Sequence, residues 1–182
     1  MALKTRLVSF IWGFAEATFF FFVPDVWLSR IVLTNPREAY INIAIATLGA
    51  ITGGAVMYYL GAQYFAQIEA ALPLVPAVST DMVDKVGADI GAHSLLYAMS
   101  QGMFAGVPYK IYASWAGHLS APLLVFIVAT IIARMARFIT VTALAHLISK
   151  ALKKRLSQSV ILRIHIGAWV CFYVFYFYTM GI

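Results

Sequence analysis

His93–Gly117, HSLLYAMSQGMFAGVPYKIYASWAG, is the stretch whose reading decides the fold. It divides into two short apolar half-helices around Gly102-Met103-Phe104-Ala105-Gly106-Val107-Pro108, and Lys110 follows the proline by two residues. A helix cannot continue through Gly106 and Pro108 without freeing backbone N–H and C=O groups. In hydrocarbon those groups must be satisfied by protein, water or a ligand, so a broken apolar helix points to a binding site. The other reading of these residues alone is an ordinary span with a proline kink.

Composition makes hydrocarbon the relevant solvent. Hydrophobic residues are 63% of the 182 and charged residues 11%, with a mean hydropathy of +0.87. A soluble domain of this size cannot hide so much apolar surface, so the fold class expected is all-α and integral to a membrane. Lys and Arg number 13 against 7 Asp and Glu. The cations collect at the ends of apolar segments, which signals membrane orientation and not a nucleic-acid partner. Cys171 stands alone in an apolar run, excluding a disulfide framework or thiolate metal site and suggesting a packing role. No nucleophile–base pair, nucleotide-binding loop or HExxH-type metal motif is legible, so neither an enzyme nor a cofactor is expected.

Moving toward the amino terminus, residues 67–92 break the apolar pattern with Pro73, Pro76, Glu69, Asp81, Asp84 and Asp89. They read as an acidic loop in which Ser79 or Thr80 caps a short surface helix. Asp89 and His93 have the four-residue spacing of a helical metal pair, but no second pair completes a coordination sphere. Residues 38–66 are long enough to cross the hydrocarbon, and Ala46, Gly49, Ala50, Gly53, Gly54 and Gly61 give them a small-residue face for helix packing. Residues 1–31 imitate a signal peptide, but Glu16 interrupts the apolar run and no small-residue cleavage site follows it, so retention is expected. Within this segment GFAEATFFFFVPDVWL carries Glu16 and a Pro24-Asp25 break. The segment can form one span or a hairpin that dips in and returns; Pro24 and the two carboxylates favour the hairpin.

Toward the carboxyl terminus, residues 121–149 read as one long apolar helix with Arg134 and Arg137 near its middle. Each would cost about 2.5–3.5 kcal/mol at the centre of a lipid-facing helix, so both are expected to face the protein interior or a wet cavity, unless the helix is shifted and both snorkel to water. At i and i+3 they share a face. Lys150, Lys153, Lys154, Arg155 and Arg163 form the densest basic stretch, suited to a loop beside anionic headgroups. A last span, Ile164–Ile182, is rich in Phe and Tyr and suits a peripheral helix near the interface.

A hairpin followed by a crossing helix thus occurs twice within a single membrane domain, 1–182. The units are a first repeat at 8–66, the acidic loop at 67–92, a second repeat at 93–149 and a carboxyl-terminal transmembrane helix at 159–182. A hairpin returns to its own side whereas the helix crosses, so the second copy starts on the opposite face. The expectation is an inverted repeat with two broken segments tip to tip near the midplane. Charge puts the amino terminus in the cytoplasm and the carboxyl terminus outside.

The runs GFAEATFFFFVPDVWL, TLGAITGGAVMYYLGAQYF, GMFAGVPYKIYASWAGHLSAP and ARMARFITVTALAHLI resemble the DedA family, also called the VTT or SNARE-associated family, in its small branch with a P-Y-K motif. The resemblance covers about residues 8–148, and its first and third runs are the specific parts. It implies a multi-pass protein of the bacterial inner membrane, with two opposed re-entrant hairpins, that moves lipids including undecaprenyl phosphate. By motif, Glu16 and Asp25 match the family's acidic residues, Lys110 the cation of P-Y-K, and Arg134 and Arg137 the R-x-x-R-F run. Many members carry an arginine ahead of the second break; this chain has Ser100-Gln101-Gly102-Met103-Phe104 there.

The expected site follows. Lys110, Arg134 and Arg137 bind substrate phosphate, Glu16 and Asp25 serve as counter-charges or proton carriers, and Pro24, Gly106 and Pro108 break the hairpins. Expected partners are membrane lipids, a polyprenyl phosphate among them, with protons as a candidate coupling ion and a second copy of the chain as a candidate partner. Two other readings stay open: a proton-coupled transporter of a small solute, and a non-transporting scaffold whose charges are structural ion pairs.

Overall fold

In the computed structural model, which describes residues 2–180, Asn35 and Pro36 open the longest helix. The Asn35 side chain accepts a hydrogen bond from the Glu38 N–H at 3.3 Å, and Pro36 occupies the first turn, where its missing N–H costs nothing. This helix, Pro36–Ala71, is labelled α3 because two shorter helices precede it: α1, Ala2–Ala17, and α2, Asp25–Thr34. At 1.5 Å per residue α3 is roughly 54 Å long, well beyond the ~30 Å hydrocarbon core. Tyr64 leaves helical geometry (φ −133°, ψ 40°) and kinks α3, whose shorter second piece runs on to Ala71. It therefore continues past residue 66, the expected end, because Gln67–Ala71 contains no breaker and the first proline is Pro73, in a 3-10 turn at Leu72–Leu74. The acidic stretch is also mostly helical: α4, Thr80–Ala92, is capped by Ser79, which accepts from the Met82 N–H at 3.2 Å.

The small-residue face of α3 is divided between two neighbours. In its first half, a Cβ on Gly49 would fall on the Phe10 carbonyl, one on Gly53 would meet Phe14 and Ala17, and one on Gly13 of α1 would meet the Ala46 backbone. Only glycine lets the two backbones come this close. An Arg6–Glu38 ion pair at 2.9 Å and a Ser9–Asn42 hydrogen bond at 2.6 Å extend the same register. Partner numbers rise together, so α1 and α3 run in the same direction and α2, between them, runs back. α1 ends level with Gly53, about half-way along α3.

The second half of α3 takes α6, Tyr109–His118, with Gly54 against the Tyr109 ring and Gly61 against the Ser114 backbone. These numbers also rise together. Before α6 lies α5, Leu95–Ala105, capped by Ser94. The chain reverses through Gly106, whose φ of 75° suits a residue without a Cβ, and Pro108, and Gly102 packs against the Tyr112 ring. α7, Leu123–Leu152, runs opposite to α3: Phe126 lies against Tyr58 and Phe138 packs with Ile43 and Ala46. α8, Gln158–Met180, runs opposite to α2, with Gln158 donating to Leu33 O and Tyr173 accepting from Val23 N–H. The last two residues of the expected final span lie outside the described residues.

Among the described residues, three helices are long and apolar enough to cross a membrane: Pro36–Leu74, Leu123–Leu152 and Gln158–Thr179. Leu124, Leu147, Val174 and Phe175 stand exposed on them, as a hydrocarbon solvent allows. Lys153 Nζ reaches Leu33 O, which brings the basic stretch after α7 to the same end of the bundle as Arg30 and Arg37. The acidic residues of α4 lie toward the other end. Cys171 is exposed on α8, not packed as its apolar surroundings suggested, because α8 is peripheral and turns most of its surface outward.

Candidate functional site

The two chain breaks meet beside the middle of α3. After α1, the Thr18 and Phe20 N–H groups both return to Ala15 O, at 3.1 and 2.9 Å, and the chain leaves helical geometry until α2. This break begins at Thr18, ahead of the expected Pro24-Asp25 position. Pro24 has near-helical torsions (φ −60°, ψ −17°) and initiates α2 rather than ending α1. The freed backbone groups are satisfied from three different elements. Trp12 Nε1 donates to Phe22 O at 2.9 Å, Lys110 Nζ donates to Phe20 O at 2.8 Å, and Val23 N–H donates to the Tyr173 hydroxyl at 2.9 Å.

All five charged residues singled out in the sequence converge here. Glu16, in the last turn of α1, accepts from Arg134 Nη2 at 2.6 Å, and the two side chains are 5% and 4% exposed. Asp25 begins α2, where a carboxylate complements the positive end of the helix dipole, and accepts from Arg137 Nε at 3.0 Å. Asp25 is 1% exposed and Arg137 24%. Both arginines thus turn from the middle of α7 toward carboxylates on α1 and α2. The Arg134 guanidinium also lies 4.3 Å from the centre of the Tyr109 ring, whose hydroxyl is 2.8 Å from Thr130 Oγ1. Lys110 sits buried in the first turn of α6, where the dipole opposes a cation, and makes no ion pair among the described residues.

Three cations against two carboxylates leave one net positive charge when all five are ionised, so the site attracts anions. Lys110, Glu16 and Arg137 line a cavity of about 70 Å³ together with Gly106, Pro108 and Tyr173, enough room for a few water molecules. Two buried polar atoms here have no hydrogen-bond partner, Asp25 Oδ1 and Arg134 Nε. Each such atom costs about 1–3 kcal/mol unless something satisfies it. The site therefore retains one acceptor and one donor for another molecule.

A second polar group was not legible in the sequence. Ser29 Oγ lies 2.8 Å from His165 Nε2 and 3.1 Å from Trp169 Nε1, and its hydroxyl donates to Asp25 O at 2.5 Å. With its proton committed to that carbonyl, Ser29 ties α8 to α2. Its partner His165 is 136 residues distant, and no local pattern links them. The Ser9–Asn42 contact and the Trp27 Nε1 donor at 3.0 Å to Ser9 are of the same kind. Asp89 and His93 remain at the end of α4, where the His93 N–H donates to Asp89 O. Among the described residues no group of three or more His, Cys, Asp or Glu could hold a metal ion.

No family model matches this chain, and no solved structure does. An uncharacterized protein of Haemophilus influenzae (strain ATCC 51907 / DSM 11121 / KW20 / Rd) is 26% identical over 151 residues, which cover 76% of this chain and 70% of that protein. This chain is thus similar, over most of its length, to a bacterial protein whose description carries no activity.

Proposed function

We propose that this protein is a DedA-type transporter of the bacterial inner membrane that translocates or scrambles an anionic lipid such as undecaprenyl phosphate. The observation that carries the reading is the convergence of Lys110, Arg134 and Arg137 with Glu16 and Asp25 where the two chain breaks meet. Charges at such depth are costly, and in membrane proteins they mark substrate or ion pathways. In this reading α1–α2 and α5–α6 are re-entrant hairpins. Three features support that: α1 and α3 run in the same direction, α1 stops half-way along α3, and the hairpins take opposite halves of the α3 face. With α3 and α7 they form an inverted repeat, and α8 adds the third crossing. The basic end is cytoplasmic, with the amino terminus, and the carboxyl terminus is outside.

Lys110 is the group that receives phosphate, since its charge is unpaired and its ammonium already bridges the hairpins. Arg134 and Arg137 reach phosphate only by exchanging their carboxylates, which makes Glu16 and Asp25 counter-charges that a proton can release. The engaged state of both arginines also favours a second reading, a scaffold whose ion pairs only hold the fold. Reconstitution in liposomes with a labelled polyprenyl phosphate separates the two. We expect lipid transfer by the protein, and a loss of about one to two decades in Lys110→Ala, the worth of one charge-assisted contact. No transfer above protein-free liposomes, from correctly folded protein, rules transport out.

A further inference from the structure

Arg137 is more exposed than any other member of the charge cluster, and it lines both the Lys110 cavity and a larger outer recess. On its inner side lies the cavity with Glu16 and Lys110. On its outer side a recess of about 320 Å³ separates α7 from α8, walled by Thr140 and Val141 on one helix and Trp169 and Phe172 on the other. Asp25 and Gly106 lie at its inner end. The recess is therefore apolar at its rim, where Phe172 is exposed, and charged at its floor. Those are the requirements of a molecule with a hydrocarbon chain and an anionic head.

The floor specifies the head further. Drawing Arg137 away from Asp25 strands a buried carboxylate, and leaving one partner of such a pair alone is strongly unfavourable. Asp25 Oδ1 already lacks a donor. A head that accepts from Arg137 while donating a hydroxyl hydrogen to Asp25 avoids stranding either group. A phosphate monoester carrying one proton does both; a head with no donor meets Asp25 as like charge against like.

We infer that a lipid with a phosphate head bearing a hydroxyl donor enters sideways from the bilayer through the α7–α8 recess, is read jointly by Arg137 and Asp25, and passes from Arg137 to the Lys110 cavity. This rests on the transport reading, and the test separates the two. Val141→Trp and the more exposed Thr140→Trp fill the recess, whereas Ile132→Trp adds the same bulk to an exposed position elsewhere on α7. Lipid transfer in liposomes is expected to fall at least about tenfold in the first two and to match the parent in the third, with yields alike. A photo-crosslinking residue at position 141 should capture polyprenyl phosphate, and one at 132 should not. Transfer at the parental rate by both recess variants, or equal capture at the two positions, overturns the lateral route. Capture at 141 by a protein that moves no lipid overturns the transport reading and leaves the binding site standing.

Discussion

Glu16 and Arg134 meet at 2.6 Å with almost no exposure, so the pair behaves as a unit. Glu16→Gln or Arg134→Gln alone leaves a buried charge without its partner, at a cost of about 3–5 kcal/mol. Replacing both at once removes the orphan, so stability in detergent should recover most of that loss, as chemical denaturation of the three variants would measure. Equal destabilisation in the single and double variants would mean that the pair is not coupled. If the protein transports, the recovered double variant should still be slow; if it is a scaffold, function should return with stability. These five charged positions were legible in the sequence because a charge deep in an apolar run has few explanations. Their pairing was not. Nothing local links Glu16 to Arg134, 118 residues away, or assigns Asp25 to Arg137 and not to Lys110.

At the scale of elements, the break at 106–108 and the small-residue face of α3 followed from residues whose backbone consequences are local, whereas the first break opens at Thr18, ahead of the Pro24-Asp25 position that the sequence suggested. Gly106 and Pro108 act where they stand, and Asn35-Pro36 starts a helix wherever it occurs. The sequence did not reveal how that face is shared. Gly49 and Gly53 serve α1 while Gly54 and Gly61 serve α6, although the two sets occupy one continuous helix. A Cβ at Gly49 would lie against Phe10 O and one at Gly61 against Ser114 O, so Gly49→Ala and Gly61→Ala should each cost on the order of 1–3 kcal/mol by overpacking. Gly91, with nothing near its missing Cβ, provides the control. Melting temperatures in detergent should order the variants with Gly91→Ala beside the parent; a parental melting temperature for Gly49→Ala would mean that α1 does not sit as close to α3 as described. The Ser29–His165–Trp169 group lay beyond sequence reading for another reason. Those residue types are common at helix surfaces, and only the docking of α8 on α2 makes them neighbours.

For the whole molecule, the arrangement of ends follows from Arg6 meeting Glu38. With α1 and α3 starting side by side, Lys4→Cys and Asn35→Cys should be modified by a membrane-impermeant thiol reagent from the same face, and Asp81→Cys from the opposite one, in a Cys171→Ser background. Modification of positions 4 and 35 from opposite faces would mean that residues 8–30 cross the bilayer. One further consequence concerns manufacture, not architecture. The Val23 N–H is satisfied by a tyrosine hydroxyl 150 residues downstream, and at about 5–20 residues per second a ribosome reaches that codon roughly 8 to 30 s later. The segment around Val23 therefore leaves the ribosome before the group that completes its hydrogen bonding has been made. Through that interval the nascent protein needs a stand-in for Tyr173, such as water or the wall of the insertion machinery, and α8 is the clasp that closes a structure begun 150 residues earlier.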